Sequence, residues 1–252
     1  MRYIFFFMAF GLLCLLCCKN DSHLNRIEGK RISISDSLVL NTEIDSFIKP
    51  YRDHVNKGLD SVLAYAEDTY SKYDGHLNTA IGNLMADAIL QECNPIFKAR
   101  TGESIDAVLM NHGGIRSIIS KGDITTRTAF EIMPFENYAV VVALKGKKID
   151  AMFKFLAKDQ KAHPISGIQL SLNKDFTIQS ANIQGQPIDT TKVYHVVTTD
   201  YQYNGGDNMN FLRPNEGMYN LDYKIRNILI DHFKKADTIS PKADDRFIQL
   251  NN

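Results

Sequence analysis

Neither sign of charge is in excess: Lys plus Arg and Asp plus Glu number 29 each in a chain of 252 residues. A surface without a net basic field cannot condense along a nucleic-acid polymer, so that class of partner is excluded. Cysteine is scarce where a fold would need it. Cys14, Cys17 and Cys18 fall in the first eighteen residues, and Cys93 stands alone. If Cys14 and Cys17 leave with a leader and Cys18 carries lipid, no disulfide can form within the chain, and a lone Cys builds no cysteine zinc centre. The domain must therefore be held by its core, with Cys93 as a small buried filler beside Asn94 and Pro95 at the predicted end of a helix. His23, His54, His76, His112, His163, His195 and His232 never stand within two residues of one another, so no His-x-His metal pair exists. A G-x-S-x-G elbow and a Walker phosphate loop are also missing.

What is present begins with MRYIFFFMAFGLLCLLCC, one Arg followed by an apolar run and then a polar segment, the pattern of a secretory signal over residues 1–17. The run is shorter than the roughly 20 residues of a membrane span, which is the alternative reading. LLCC resembles the lipobox of bacterial lipoproteins with Cys18 as the lipidated residue; lipidation at Cys17 would put bulky Leu16 before the cut, where such signals favour a small residue. The expectation is an exported protein, lipid-anchored to a bacterial membrane. Residues 18–37 are polar, rich in Ser, Asp, Lys and Arg, and read as a flexible tether ahead of a domain over 38–252.

Periodicity outlines that domain. Thr42 can cap a helix carrying Ile44, Phe47, Ile48 and Tyr51, and SVLAYAEDTY alternates as a strand does. LNTAIGNLMADAILQEC puts Ile81, Leu84, Met85, Ala88 and Ile89 on one helical stripe. IDAVLMN is a buried strand, ITTRTAFEIMPF a capped helix ending before Pro134, and YAVVVALKG the strongest strand, followed by a helix from Lys147 to Lys158. GIQLSLN and FTIQSANI form a hairpin about Lys174 and Asp175. VYHVVTTD is a further strand, LDYKIRNILIDHFKKA a closing amphipathic helix, and RFIQL a last short strand. The fold class expected is α+β, with layered mixed β-sheets covered by helices.

Two strands run into Gly-Gly turns: IDAVLM into NHGGIR, and VYHVVTTD into YQYNGGDNM. Two such turns can share one cleft. Glycine pairs let backbone N–H groups approach an anion, and a planar guanidinium such as that of Arg116 fits phosphate bidentately. Without more, Arg116 reads equally as a solvated turn residue, Tyr201 as a core aromatic and Asp207 as a turn cap.

NHGGIRSIISKGDITTRTAFEIMPFEN resembles the NGGGIR…GDIT…PFGN signature of the C-terminal, substrate-binding domain of the 5′-nucleotidase/UDP-sugar hydrolase family. GNLMADAIL is similar to that domain's opening helix, and TTDYQYNGGDNM to its nucleobase-binding turn. The resemblance implies a domain that holds a nucleotide or nucleoside, with Arg116 on phosphate, Tyr201 stacked on the base and Asp207 on the ribose hydroxyls. Asn111, Gly113 and Gly114 would shape the first turn, and Asn204, Gly205 and Gly206 the second. The family's second stacking aromatic is expected just before GIQLSLN, where KAHPISG offers only His163 as a poorer plate; the alternative is a base held on one side only.

The same resemblance implies chemistry by two metals on a separate metallophosphatase domain, whose Asp-x-His, Asn-His-Asp/Glu and His-x-His motifs this chain lacks. Asn111 and His112 imitate the middle motif, but Gly113 follows where a carboxylate is needed. The chain is thus expected to hold no cofactor itself, with divalent metals on an exported metallophosphatase partner: the nucleotide-binding half of a split phosphoester hydrolase. A catalytically silent nucleotide- or nucleoside-binding envelope lipoprotein is the alternative, and an interaction module on the same scaffold a third. Nucleoside monophosphates, nucleotide sugars and cyclic nucleotides all stay open as ligands.

Overall fold

The computed structural model describes residues 24–35 and 38–250; the expected leader, the lipidation site Cys18, and Asp36 and Ser37 of the expected tether lie outside them. The chain divides into two units, Met1–Ile48 and Lys49–Asn252, and among the described residues every strand belongs to the second. Residues 24–35 are exposed and carry no regular structure. Helix α1 (Thr42–Leu59) contributes no buried residue, so the apolar positions Ile44, Phe47, Ile48 and Tyr51 are not core. Its cap is Asn41, not Thr42: Asn41 Oδ1 accepts the N–H groups of Glu43 and Ile44 at 3.1 and 3.2 Å, one residue earlier than expected.

Strand β1 (Val62–Ala66) lies between β3 (Gly122–Thr125) and β11 (Thr238–Ile239) in a three-stranded sheet. Helix α2 (Ala80–Thr101) starts on Thr79, whose Oγ1 accepts the Gly82 N–H, and runs straight through the predicted stop at Pro95. A proline there removes one N–H bond, but buried Phe97 packs the next turn into the core and Gly102, at φ 80°, closes the helix on Lys98 O. Asn94 does not end the helix; its Oδ1 accepts the Ile105 N–H.

The second sheet is central: β10 (Gly217–Lys224), β4 (Tyr138–Lys145), β9 (Val193–Thr199), β2 (Ala107–Leu109) and β5 (Ile165–Ser166), in that order. Both of its faces are covered, which is why YAVVVALK is apolar without alternation. Ala139 and Val141 point into a core with Ile81, Ile89, Ile124 of β3, Ala129 of α3 (Thr126–Ile132), and Ile228 of α6 (Ile225–Lys235). Val140, Val142 and Leu144 point into the opposite core with Met152, Phe153 and Leu156 of α4 (Gly146–Asp159). That second core is closed by the third sheet, β12 (Phe247–Gln249), β6 (Ile168–Leu172), β7 (Ile178–Ile183) and β8 (Gln186–Pro187). Layered mixed sheets covered by helices are thus the observed fold.

One further boundary differs from the periodic reading. LDYK belongs to β10, and the last helix begins only at Ile225. The register of β10 on β4 shifts between Asn220 and Lys224, where Asp222 takes φ 54°; the bulge breaks the alternation by which the strand would have been recognised.

Phe153 is fully buried between α4 and the central sheet. Phe153→Ala should lower the unfolding free energy by about 3–5 kcal/mol, read as a lower denaturant midpoint at unchanged slope.

Candidate functional site

The site forms where β2 and β9, parallel neighbours paired at Ala107↔Val196 and Val108↔Val197, leave the sheet at the same edge. After β2 the Met110 N–H still donates to Pro164 O at 2.8 Å, and the chain then turns through a 3₁₀ segment, His112–Gly114. The Gly114 N–H returns to Asn111 O at 3.0 Å, and the Arg116 N–H donates to Ile132 O at 2.9 Å, fixing the exit. The Asn111 side chain folds across this turn so closely that a Cβ on Gly114 would lie 2.8 Å from its Oδ1.

After β9, Thr199 caps the short helix α5 (Asp200–Tyr203) by accepting the Gln202 N–H at 3.1 Å. Buried Gln202 reaches across to β2, its Nε2 lying 3.4 Å from Leu109 O and 3.0 Å from Met209 Sδ. The chain then reverses through Gly205 at φ 96° and Asp207 at φ 51°. A Cβ on Gly206 would fall 2.4–2.6 Å from three consecutive ring atoms of Tyr201, so that ring lies face-on against the Gly206 backbone.

Asp207 joins the two turns. Its Oδ2 accepts Asn111 Nδ2–H at 2.6 Å, and its Oδ1 accepts the Tyr201 hydroxyl at 3.3 Å. A cleft of about 250 Å³ opens beside this clamp, lined by Asn111, Gly113, Gly114, Arg116, Tyr201 and Asp207. Phe135 and Asn137 complete its wall. Six of the nine residues singled out from sequence are thus brought together on one surface. Gly206 backs the Tyr201 ring, while Asn204 and Gly205 sit outside the cleft lining. The Asn204 amide is engaged within its own turn, donating to Asp200 O and accepting from Arg213.

The aromatic that shares the cleft wall with Tyr201 is Phe135, and His163 is not on that wall. His163 has a side chain only 2% exposed, locked between Asp159 and the backbone of residues 110–112, so it offers no stacking face. Phe135 is 39% exposed and Tyr201 46%, both on the same cleft, and the Arg116 guanidinium lies 5.7 Å from the Phe135 ring centroid. The signal was present in MPFEN: an aromatic after Pro134 in a loop, with no apolar period to bury it. Its anchor is the next residue. Glu136 is gripped by Arg226 and Lys224, and Arg226 first, with Lys224, pulls its carboxyl down to about 2. Arg226 in turn stacks 4.0 Å from the Phe130 ring centroid.

Arg116 also lines a neighbouring polar hollow of about 290 Å³ with Ser71, Lys72, Tyr73, Ser117 and Ile118. One guanidinium therefore stands between an aromatic-walled cleft and a polar, cationic hollow. Among the described residues, no three His, Cys, Asp or Glu side chains converge as a metal site.

The clamp is testable without a ligand. In a double-mutant cycle of Asn111→Ala and Asp207→Ala, chemical denaturation should give a coupling energy of about 0.5–3 kcal/mol. Strict additivity would mean that the two turns are held independently.

A protein-family model described as 5′-nucleotidase, C-terminal domain, matches residues 62–213. An apyrase from Tabanus yao is 24% identical, over 91% of this chain and 46% of its own length. Protein UshA of Escherichia coli strain K12 is 24% identical, over 84% of this chain and 38% of its own. Among solved structures, the 5′-nucleotidase precursor of Thermus thermophilus superposes with a TM-score of 0.69 at 22% identity, covering 84% of this chain and 44% of that one. This likeness is one of fold, and the chain spans less than half the length of these relatives. Through the family model, which covers more than half of its residues, the chain belongs to the family of 5′-nucleotidase C-terminal domains.

Proposed function

We propose that the cleft holds a nucleotide, with the base against Phe135 and Tyr201, the ribose hydroxyls on Asp207, and the phosphate at Arg116 facing Lys72. The observation that carries this reading is the position of Arg116 on both the aromatic cleft and the polar hollow. A nucleotide has the same polarity: a flat apolar base at one end, hydroxyls in the middle, an anion at the other. Tyr201, backed by Gly206 on one face, keeps its other face for stacking, and such stacking contributes about 1–3 kcal/mol per base. The Asp207 carboxylate, already oriented by Asn111, is an acceptor suited to vicinal hydroxyls. The guanidinium of Arg116 is fitted to phosphate oxygens by its planar fork.

We further propose that hydrolysis needs metals held by another chain, a metallophosphatase that docks over the open cleft, so that this protein is the nucleotide-binding half of a split 5′-nucleotidase-type enzyme. The absence of a converging ligand set among the described residues supports this, because clamping the attacking and leaving oxygens of a phosphate ester takes two metals about 3.5–4 Å apart. Export and lipidation at Cys18 would confine the protein to a membrane surface and raise the effective concentration of the two halves there.

Two outcomes test the reading. In calorimetry with the full chain, Arg116→Ala should weaken AMP binding by about one to two decades and leave adenosine nearly unchanged, whereas Tyr201→Ala or Phe135→Ala should weaken both. Equal effects of the arginine change on the two ligands would remove Arg116 from the phosphate. In phosphate-release assays the chain alone should be inactive on AMP, and activity should appear on mixing with a metallophosphatase chain that lacks a C-terminal domain of its own. Binding without turnover in every such mixture would favour a capture protein.

A further inference from the structure

His163 is the buried titratable group at this site that nucleotide binding leaves without a role. Its ring lines a second hollow of about 220 Å³ with His112, Asp159 and Lys161, which meets the aromatic cleft at Gly113 and Asp207. Nε2 lies 2.8 Å from Asp159 Oδ2, so the carboxylate holds a proton on that nitrogen. Nδ1 lies 3.2 Å from two backbone atoms of opposite character: the His112 N–H, which can only donate, and Met110 O, which can only accept. One nitrogen cannot serve both. Bare, it accepts from His112; protonated, it donates to Met110 and leaves the His112 N–H without its partner.

The His112 peptide opens the 3₁₀ turn whose Gly113 and Gly114 line the cleft and whose preceding residue, Asn111, grips Asp207. We propose that the Asp159–His163 pair positions this turn through one proton: neutral His163 holds the turn in its ligand-binding shape, and protonation at Nδ1 releases it. The proposal rests on the reading of the cleft as a nucleoside-holding site, and it makes His163 a positioning residue that touches no ligand.

The groups around the ring fix the direction. Burial lowers the basicity of His163 below that of a free imidazole, and this outweighs the opposing hydrogen bond and charge of Asp159. His112 disfavours a second charge nearby; its Nδ1 is 3.2 Å from Ala162 O and its own basicity is also lowered by burial. Lys161 is paired with Asp159 Oδ1 at 3.1 Å, and the Phe155 ring centroid lies 5.6 Å from that of His163. His163 is therefore neutral at pH 7, and the turn is held there. Acid releases it, in the range below the ordinary histidine value of about 6.5.

Adenosine is the probe, because a phosphate monoester itself titrates near pH 6 and would obscure the effect. With the full chain, adenosine affinity should fall about three- to tenfold as the pH is lowered from about 7.5 through the midpoint of the His163 ring, the loss expected for one hydrogen bond. His163→Asn keeps an acceptor near Nδ1 and cannot titrate, so its affinity should stay level over that range. A flat wild-type profile, or an unchanged slope in His163→Asn, overturns the proposal. A second measurement needs neither the variant at 163 nor a ligand. In a His112→Gln chain, where only one nearby ring titrates, the Gly113 and Gly114 amide resonances should follow the His163 ring with the same midpoint. Amides that stay still while the ring titrates overturn it. Amides that follow the ring in a chain that binds no adenosine at any pH leave the positioning intact and remove the nucleoside reading of the cleft.

Discussion

Everything at the cleft depends on the parallel pairing of β2 with β9. Parallel neighbours leave a sheet at the same edge, so two segments almost ninety residues apart deliver their turns side by side. β2 is only three residues long and could not hold this register alone. β9 fixes it, because β9 is itself locked antiparallel to β4 from Ala139↔Thr199 to Lys145↔Val193. The side-chain links at the exit then have short distances to span: Gln202 returns to Leu109, and Asp207 accepts from Asn111. The second turn leans on the first, since Asp207 sits at a positive φ that costs free energy for a residue with a Cβ. The carboxylate's bonds to Asn111 and Tyr201 are what offset that cost.

A second support comes from outside the pair of turns. Phe135 stands at the rim because Glu136 is anchored by Lys224 and Arg226 at the junction of β10 and α6, and because the Ile225 N–H donates to Asn137 O. The loop before β4 is thus held by the last long strand and the last helix of the domain. The aromatic wall of the cleft is set by the end of the sequence, the polar wall by its middle.

This explains what the sequence disclosed and what it withheld. Strands with covered faces announce themselves as apolar runs, so YAVVVALK, IDAVLM and VYHVV were legible, and so were the glycine turns that follow two of them. Local signals misled where a distant contact overrode them. Pro95 reads as a helix stop, yet buried Phe97 keeps the helix going. LDYK shares an apolar period with the helix after it, yet pairing with β4 draws it into the sheet. His163 was an aromatic at the right distance in sequence, and only the tertiary structure shows it walled in by Asp159 and the backbone. Phe135 lies within a legible motif, but nothing local says that a loop aromatic faces a cleft; that information resides in Arg226, which grips the neighbouring Glu136 from the far end of the chain.

The cleft's setting bears on why such a domain would work with another chain. The cleft of about 250 Å³ and the hollow of about 290 Å³ meet at Arg116, and both are open to solvent. The charges give the site a direction, with the Asp207 carboxylate toward the second turn, the Arg116 guanidinium at the boundary, and Lys72 in the hollow beyond. In the proposed reading, a nucleotide bound in that field would present its anionic end past Arg116, with its rotational freedom restricted by the aromatic walls. Restricting that freedom before reaction is a large part of what positioning contributes to a phosphoryl transfer. In the proposed reading the division of labour follows from this geometry: a domain that orients the ester needs no metals of its own, and a metal-bearing partner that receives an oriented ester needs no base pocket.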